Sequence, residues 1–358
     1  MITEKNNEKI VFVNSFRGSG IGDFGWKLKS ELEKKVGIKY IEIIPSWKGL
    51  IRLWKDIMWC NSKVVFNIGF TSFGRSIYRN FMNFLMLKFF STLHKAPSLI
   101  LHDSIDTSNL EHSGYSYSQI VSRIVRLGGS IATKMLSNFK IFVFSRRFYD
   151  ILNEKYGFKH IKYFPFPTES RTCLECYRRD KNPLLLNVGY MAPYKGLEIL
   201  PEIKNKLNGI ETVIVGNFHK ILLSTEAGSK YRETLVNLMK DSEIKLAGYM
   251  EDSNLIEFVE KHRTIGILPY VSGYNASYSA ILFVALGIPV VATNIDVFKE
   301  SQNNGAGIVL VDRDPNAFVS AIKDILETPG LSEELIEKDR KYCAKYSMFN
   351  FSDLIIDS

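Results

Sequence analysis

Three short stretches of the 358-residue chain hold residue types that can do chemistry on an anionic ligand. The first, Arg17-Gly-Ser-Gly-Ile-Gly-Asp-Phe-Gly25, follows an apolar strand and opens a helical stretch. Glycines there let the backbone turn tightly, approach a ligand and present N–H groups from a helix start. The second, Asn187-Val-Gly-Tyr-Met-Ala-Pro-Tyr-Lys-Gly196, ends on a lysine held by a proline-containing loop just before a helix. An ammonium so placed can meet a phosphate, with the helix dipole adding to the attraction. A surface lysine on a turn is the commoner outcome of such a pattern. The third stretch runs from Tyr274 to Thr293. It sets Asn275, Ala276, Ser277 and Ser279 ahead of an apolar helix, and Gly-x-Pro then leads into a strand. N–H groups and hydroxyls at a helix start make a site for a diphosphate. Simple capping by Ser277 or Asn275 accounts for the same residues.

Other chemistries leave weaker marks. Gly20-x-Gly22-x-x-Gly25 matches the spacing of a dinucleotide fingerprint, and Glu42, in the second strand, keeps that alternative open. Cys173-x-x-Cys176 is a single pair without a partner pair, so it is read as two thiols, and no metal site is expected.

The elements that must hold these residues alternate in type. Short apolar runs at Ile10–Asn14, Tyr40–Ile44, Val64–Ile68, Ser98–His102 and Ile141–Phe144 are separated by helix-like or loop segments. The pattern repeats at Leu184–Val188, Glu211–Val215, Lys245–Leu246, Thr264–Leu268, Pro289–Ala292 and Gly307–Val311, with helices starting near Gly196, Ser253, Tyr278 and Pro315. Continuous apolar strands alternating with helices predict parallel sheets covered on both faces. The stretch Phe164–Asn182, with two prolines and no periodicity, suits a connection between two such domains.

Hydrophobic residues make up 46% of the chain and charged residues 23%, which excludes a disordered tail, a fibre or a small disulfide scaffold. Four scattered cysteines fit a reducing compartment. The charged N-terminus lacks the layout of a signal peptide, and the longest apolar run, Ala280–Ala292, is too short to span a bilayer, so a soluble protein is expected. The net charge of +8 is uneven: residues 1–170 hold 25 Lys and Arg against 13 Asp and Glu, whereas residues 171–358 hold 21 against 25. Basic charge gathered in one half points to an anionic partner for that half, as membrane lipid, phosphate or nucleic acid. Within Tyr78–Leu93, Phe81, Phe84, Leu85, Phe89 and Met82 recur at helical spacing beside Arg75, Arg79 and Lys88. Such a helix either packs its stripe on the first sheet or lies in a membrane interface.

The order VGYMAPYKG, ETVIVG, LAGYMEDSNLIEFVEKHRTIGILPY, SYSAILFVALGIPVVATNIDVFKE and GAGIVLVDRDPNAFVSAI resembles the nucleotide-sugar domain of the retaining glycosyltransferase family 4. Upstream, GSGIGDFGWKLKSEL is similar to that family's glycine loop and first helix, and APSLILHDSID to its apolar strand ending in His-Asp. Residues 143–167, ending in PFP, are similar to the elements that close its first domain. The resemblance is collinear over nearly the whole chain.

It implies an α/β chain of GT-B architecture, with two Rossmann-like doubly wound domains facing across a cleft. These would be an acceptor-side domain over residues 1–166, a nucleotide-sugar domain over 167–335 and a helical segment, 336–358, returning to the first domain. It implies that Lys195 contacts the donor diphosphate, with Tyr190 where many relatives have arginine. Ala276, Ser277, Tyr278 and Ser279 would cradle the distal phosphate. Gly20 and Gly22 would approach the donor from the first domain, and His102 would touch the transferred sugar. Gly248, Tyr249, Met250 and Tyr274 would lie in the base or ribose region. Relatives often carry two glutamates eight positions apart; counted back from Gly287, those positions hold Leu282 and Tyr274, and neither can accept as a carboxylate does.

The function so implied is transfer of a hexose from a UDP- or GDP-sugar to a glycan or polyprenyl-linked acceptor. The leaving diphosphate would take the acceptor's proton, with no cofactor or metal. An anionic membrane surface on the cytoplasmic side is a further expected partner; nucleic acid is not, because no recognised motif accompanies the basic charge. A nucleotide-sugar epimerase and a non-catalytic sugar-nucleotide-binding protein on the same architecture stand as alternatives.

Overall fold

Continuous apolar runs become buried parallel strands throughout the computed structural model, which describes residues 9–17, 19–74, 76–94, 96–103, 119–218, 223, 225–273 and 275–358. These fall into two units. One runs to Pro165 and takes in Met348–Ser358; the other covers Phe166–Ser347.

The first unit is built on β1 (Ile10–Asn14), β2 (Ile38–Glu42), β3 (Lys63–Ile68), β4 (Ser98–Leu101), β5 (Lys140–Val143) and β6 (Ile161–Tyr163). They form one parallel sheet in the order β2-β1-β3-β4-β5-β6. Alternation of side chains decides which face each residue serves. Val11, Val13, Val64, Phe66, Leu99 and Leu101 enter a single core cluster beneath the helices Trp47–Ile57, Ile77–Leu93 and Gln119–Met135. The residues between them, Asn14 and Asn67 included, therefore face the opposite side, where the helix Gly20–Glu33 packs. That helix lies so close to β1 that a Cβ on Gly25 would fall 1.9 Å from Asn14 Oδ1, and one on Gly22 1.9 Å from the Phe16 carbonyl oxygen. The two glycines thus have a packing reason of their own.

The second unit carries β7 (Pro183–Val188), β8 (Glu211–Val215), β9 (Lys245–Gly248), β10 (Arg263–Leu268), β11 (Val290–Thr293) and β12 (Ile308–Val311), in the order β12-β11-β10-β7-β8-β9. Read from the other edge this is the doubly wound dinucleotide-fold order, which reverses direction between β7 and β10. One core cluster, including Leu185, Ile214, Ile265 and Val291, fills the face under the helices Leu200–Lys206, Glu226–Asp241 and Pro315–Glu327. The apolar helix Tyr278–Leu286 covers the other face.

The crossing back to the first unit falls after Ser347 rather than at residue 336. The helix Leu331–Lys345 is held in the second unit by buried Asp339, Tyr342 and Cys343, and the Tyr342 hydroxyl donates to the Phe166 carbonyl at 2.9 Å. The last helix, Met348–Ile356, belongs to the first unit. There Phe351 packs on Phe142, Phe144 and Phe164, and Lys35 reaches both Asp353 (2.6 Å) and the Phe349 carbonyl (2.7 Å). Lys63 donates to the Ile355 carbonyl at 2.6 Å and Lys140 to that of Ser358 at 2.8 Å, satisfying carbonyls that a helix end leaves open.

Candidate functional site

In a doubly wound sheet, ligands bind outside the carboxyl ends of the strands where the winding reverses. In the second unit that point is the end of β7 beside the end of β10. Asn187, 1% exposed inside the apolar run of β7, donates its side-chain amide to the Ile267 carbonyl at 2.7 Å and ties the two strands together there. The chain then loops through Gly189–Ala192 into a single 3-10 turn, Pro193–Lys195. Gly196 ends the turn at φ 63°, and a Cβ there would lie 2.1 Å from the Pro269 carbonyl oxygen. Only glycine meets both demands, left-handed backbone and that approach to the strand β10 has just left.

This geometry buries Lys195. Its side chain is 6% exposed, its ammonium donates to the Tyr270 hydroxyl and to Ser279 Oγ (3.2 Å), and it lies 4.0 Å from the Tyr270 ring centroid. Among the described residues no carboxylate forms an ion pair with it. Answered by hydroxyls and ring faces, the buried cation has no counter-charge among the described residues, and burial of that kind costs several kcal/mol that an anion would offset.

Ser279 stands in the first turn of the helix Tyr278–Leu286, whose N-cap is Ser277; the Ser277 hydroxyl accepts from the Ala280 N–H at 3.3 Å. Asn275, Ser277 and Ser279 are all buried. Lys195 is thus set against a helix N-terminus, where backbone N–H groups and the helix dipole favour negative charge. Beside this cluster Arg313 pairs with Glu198 and donates to the Pro269 carbonyl at 3.2 Å, bracing the Lys195 loop from outside.

Of the residues singled out in sequence, Lys195, Ser277 and Ser279 come together here, and Ala276 lies in the same segment. Tyr278 turns outward, its hydroxyl donating to Glu169 at 2.5 Å. Tyr190 is 40% exposed on the loop after β7. Gly248 ends β9, two strands away, and Tyr249 and Met250 follow it; the Gly248 carbonyl accepts from the Gly216 N–H at 2.7 Å and Tyr249 is 69% exposed. Tyr274 lies outside the described residues. Leu282 is on the helix Tyr278–Leu286.

His102, Gly20 and Gly22 lie in the first unit, where a buried polar chain crosses the carboxyl ends of three neighbouring strands. Asn14 and Asn67, both 0% exposed, are register partners on β1 and β3. Asn67 donates from Nδ2 to Asn14 Oδ1 (2.7 Å) and to the Ile21 carbonyl (2.9 Å). Its remaining oxygen, Oδ1, faces His102 Nε2 at 2.7 Å, so Nε2 carries the proton and Nδ1 is the acceptor of the ring. Asn14 in turn donates to the Gly22 carbonyl (2.9 Å) and the Tyr40 hydroxyl (3.0 Å). The asparagines therefore hold the start of the helix Gly20–Glu33 and orient the histidine at once. Phe24 and Phe144 flank the imidazole at 4.9 and 5.2 Å, and its removal from water pushes the pKa down to about 3, leaving the ring neutral. Asp103, which accepts from the Phe70 N–H at 2.7 Å, is pushed up by burial. A Cβ on Gly20 would meet nothing within 4 Å, so the helix start stays open on that side. Glu42, which kept the dinucleotide alternative open, accepts from the Arg17 N–H at 2.9 Å.

Sequence reasoning missed Tyr270, Asn14 and Asn67. A signal for the asparagines was present: IVFVN, KVVFNI and PLLLNV are apolar strands each interrupted near the end by one amide.

Residues 177–342 match the family model "Glycosyl transferases group 1". A group 1 glycosyltransferase domain is thus matched within the second unit. No curated protein sequence matches the chain. Solved structures with the same fold include HepE from Anabaena in complex with UDP and glucose, at 11% identity and TM-score 0.66 over 98% of each chain. Sucrose-phosphate synthase from Thermosynechococcus elongatus aligns at 14% identity and TM-score 0.70 over 97% of each chain. WaaG, a glycosyltransferase involved in lipopolysaccharide biosynthesis, aligns at 13% identity and TM-score 0.62 over 97% of this chain and 98% of its own. Likeness at these identities shows the fold, which is GT-B. The family match spans the whole Lys195–Ser279 cluster, whereas His102 and the asparagine chain lie on the part of the fold outside it. Among the described residues no group of three His, Cys, Asp or Glu is placed to hold a metal ion.

Proposed function

We infer that this glycosyltransferase moves a hexose from a UDP- or GDP-linked donor to a glycan or polyprenyl-linked acceptor at the inner face of the membrane, with retention at the anomeric carbon. The observation that carries this reading is the buried Lys195 ammonium, without a carboxylate partner among the described residues, set against Ser279 at a helix start. A nucleoside diphosphate supplies the missing charge. The binding of UDP and UDP-glucose by HepE, a protein of the same fold, supports the donor class.

In the proposed step the bond between the sugar C1 and the diphosphate oxygen breaks while the acceptor hydroxyl forms a new bond to C1. The acceptor's proton passes to the departing diphosphate, so the products are the glycosylated acceptor and a nucleoside diphosphate. Lys195, Ser279 and the first-turn N–H groups of Tyr278–Leu286 stabilise the charge that grows on the leaving group, the role that preorganised donors play best in a site shielded from water. Ala276 and Ser277 shape that cradle, Tyr190 flanks it, and Gly248, Tyr249, Met250 and Tyr274 are assigned to the nucleoside. His102 is assigned to the transferred sugar, and Gly20 and Gly22 to the donor.

The test is incubation with UDP-glucose, UDP-galactose, UDP-N-acetylglucosamine and GDP-mannose, with and without polyprenyl-linked and soluble glycan acceptors. Nucleoside diphosphate release and the anomeric configuration of the product are followed by NMR. Release that requires an acceptor, with an α-linked product from an α-linked donor, is the expected result. Conversion of the donor to an epimer without acceptor would replace this reading with an epimerase. Donor that binds and is never consumed would replace it with a non-catalytic binding protein, a role to which Leu282 and Tyr274 at the two usual glutamate positions point.

A further inference from the structure

We propose that the outer surface of the helix layer on the first unit is a docking face for an anionic lipid bilayer. The helices Trp47–Ile57, Ile77–Leu93 and Gln119–Met135 cover the same side of the first sheet. Side chains from all three enter one core cluster: Leu50 and Trp54 from the first, Phe84 and Phe90 from the second and Ala132 from the third, with Leu136 just past its end. A helix that has buried one stripe in a core ordinarily turns polar residues to water. Ile77–Leu93 does not. Its outer side presents Tyr78, Phe81, Leu85, Phe89 and Leu93, each between 38% and 64% exposed and spaced three or four residues apart, so that they form a single line along the helix. The sequence-based choice between a stripe on the sheet and a stripe at an interface is thereby answered with two stripes. Phe84 packs inward, and Phe81, Leu85 and Phe89 point outward.

The flanking helices extend this line into a surface. Gln119–Met135 packs beside Ile77–Leu93 and exposes Ile124, Leu127 and Ile131, again three and four residues apart. On the other side the Trp47 and Tyr78 rings lie 6.0 Å apart, and Ile51 is exposed one turn beyond Trp47. Isolated exposed apolar residues are ordinary; a contiguous apolar surface across three helices marks an interaction site.

Charge selects the partner. Trp47–Ile57 contributes Lys48, Arg52 and Lys55, with Asp56 as its acid. Ile77–Leu93 adds Arg79 and Lys88, and Gln119–Met135 adds Arg123, Arg126 and Lys134, with no acid in either helix. Aromatic and aliphatic side chains among basic heads of one sign match a headgroup layer: the apolar groups enter the acyl boundary and the cations pair with anionic lipid. No helix among the described residues is long and apolar enough to cross a membrane, so the face lies on the bilayer. The proposal rests on the reading of a membrane-presented acceptor for its purpose, not for its physical basis.

The experiment is flotation of the full chain with vesicles of phosphatidylcholine containing 30% phosphatidylglycerol, and with pure phosphatidylcholine, at low and high salt. Wild type is expected to float with the anionic vesicles at low salt. The exposed pair Leu85→Ser with Phe89→Ser is expected to weaken binding at least about tenfold, because each side chain loses most of its transfer free energy. Arg123→Gln with Arg126→Gln is expected to weaken it by about fivefold per charge, with a shallower salt dependence. Melting curves of both variants should match wild type, since all four side chains are exposed. No flotation at low salt, or flotation that neither pair reduces, overturns the proposal. So does a wild-type dimer in sedimentation that Leu85→Ser with Phe89→Ser converts to monomer without any vesicle binding, which would make the face a contact between copies. UDP binding is measured on the same samples. Wild type that binds UDP but does not float defeats the docking face alone, and wild type that floats but does not bind UDP defeats the donor reading alone.

Discussion

Replacing Lys195 by methionine separates a functional lysine from a structural one, because the two roles predict opposite signs for stability and affinity. Methionine keeps an unbranched side chain in the space and removes the ammonium. In the free protein the Tyr270 and Ser279 hydroxyls each lose a partner, at about 1 kcal/mol apiece. Against this stands the cost of burying, at 6% exposure, an ammonium with no carboxylate beside it among the described residues, several kcal/mol in an apolar interior. The free variant is therefore expected to melt at or above wild type. Toward UDP the sign reverses: a charge-assisted hydrogen bond is worth about 1.5–3 kcal/mol, so affinity should fall roughly 30-fold. At a UDP concentration of about 100 times the wild-type Kd, ligand stabilisation is ~2.7 kcal/mol for wild type and ~0.9 kcal/mol for the variant. For a unit of this size each kcal/mol shifts the midpoint by about 2–4 °C. Differential scanning fluorimetry should thus show a UDP shift of about 5–11 °C falling to about 2–4 °C. The smaller shift with uridine, which lacks the diphosphate, should be unchanged. An undiminished UDP shift would refute the assignment of Lys195 to the diphosphate, and equal loss of the uridine shift would show instead that the substitution had deformed the pocket.

Gly196→Ala forces a Cβ to within 2.1 Å of the Pro269 carbonyl at φ 63°; destabilisation of about 2 kcal/mol or more is expected, with UDP affinity lost in parallel, checked by urea titration and calorimetry. Asp339 is buried with Oδ1 on the Gly307 N–H (2.7 Å) and Oδ2 without a partner, and burial holds its pKa well above the usual carboxylate value. A raised carboxyl favours the folded state in acid and loses that advantage as pH rises. Asp339→Asn should therefore gain in melting temperature relative to wild type between pH 4.5 and pH 7.5, and a constant difference would contradict the assignment. His102 acts in the other direction. Its folded pKa, near 3, lies below the unfolded value near 6.5, so folding stability is lost as pH falls through that window, by about 2 kcal/mol from pH 7 to pH 5. His102→Gln should lack this component, and the pH–rate profile of wild type should show no break near 6.5 from this ring.

Much of the fold was legible because buried parallel strands are written as uninterrupted apolar runs. β1, β3, β7 and β8 lie within one residue of where those runs fall. β6, only Ile161–Tyr163 and partly exposed, has no such run to find. The helix Glu226–Asp241 left little trace either, since a few buried side chains such as Leu235 and Met239 carry its packing. Lys195 and Ser279 were visible because a lysine after Pro-Tyr and a serine at a helix start are local patterns. Tyr270 was not, since its meaning depends on β10 lying beside β7, a neighbourhood created by the reversal of strand order. The same holds for Asn67 and His102, joined only because β3 and β4 are adjacent. Ile77–Leu93 was ambiguous for a different reason. Being apolar on its inner and outer sides, it offers a periodicity analysis no polar face from which to set its orientation.

The most direct measurement of the central claim is a crystal structure of the protein soaked or grown with UDP. The diphosphate is predicted at the carboxyl end of β7, within hydrogen-bonding distance of Lys195 Nζ and Ser279 Oγ and above the first turn of Tyr278–Leu286, with the uracil toward Gly248 and Tyr249. A nucleotide bound with its phosphates away from Lys195, or seated instead on the Gly20–Gly25 helix start, would contradict it.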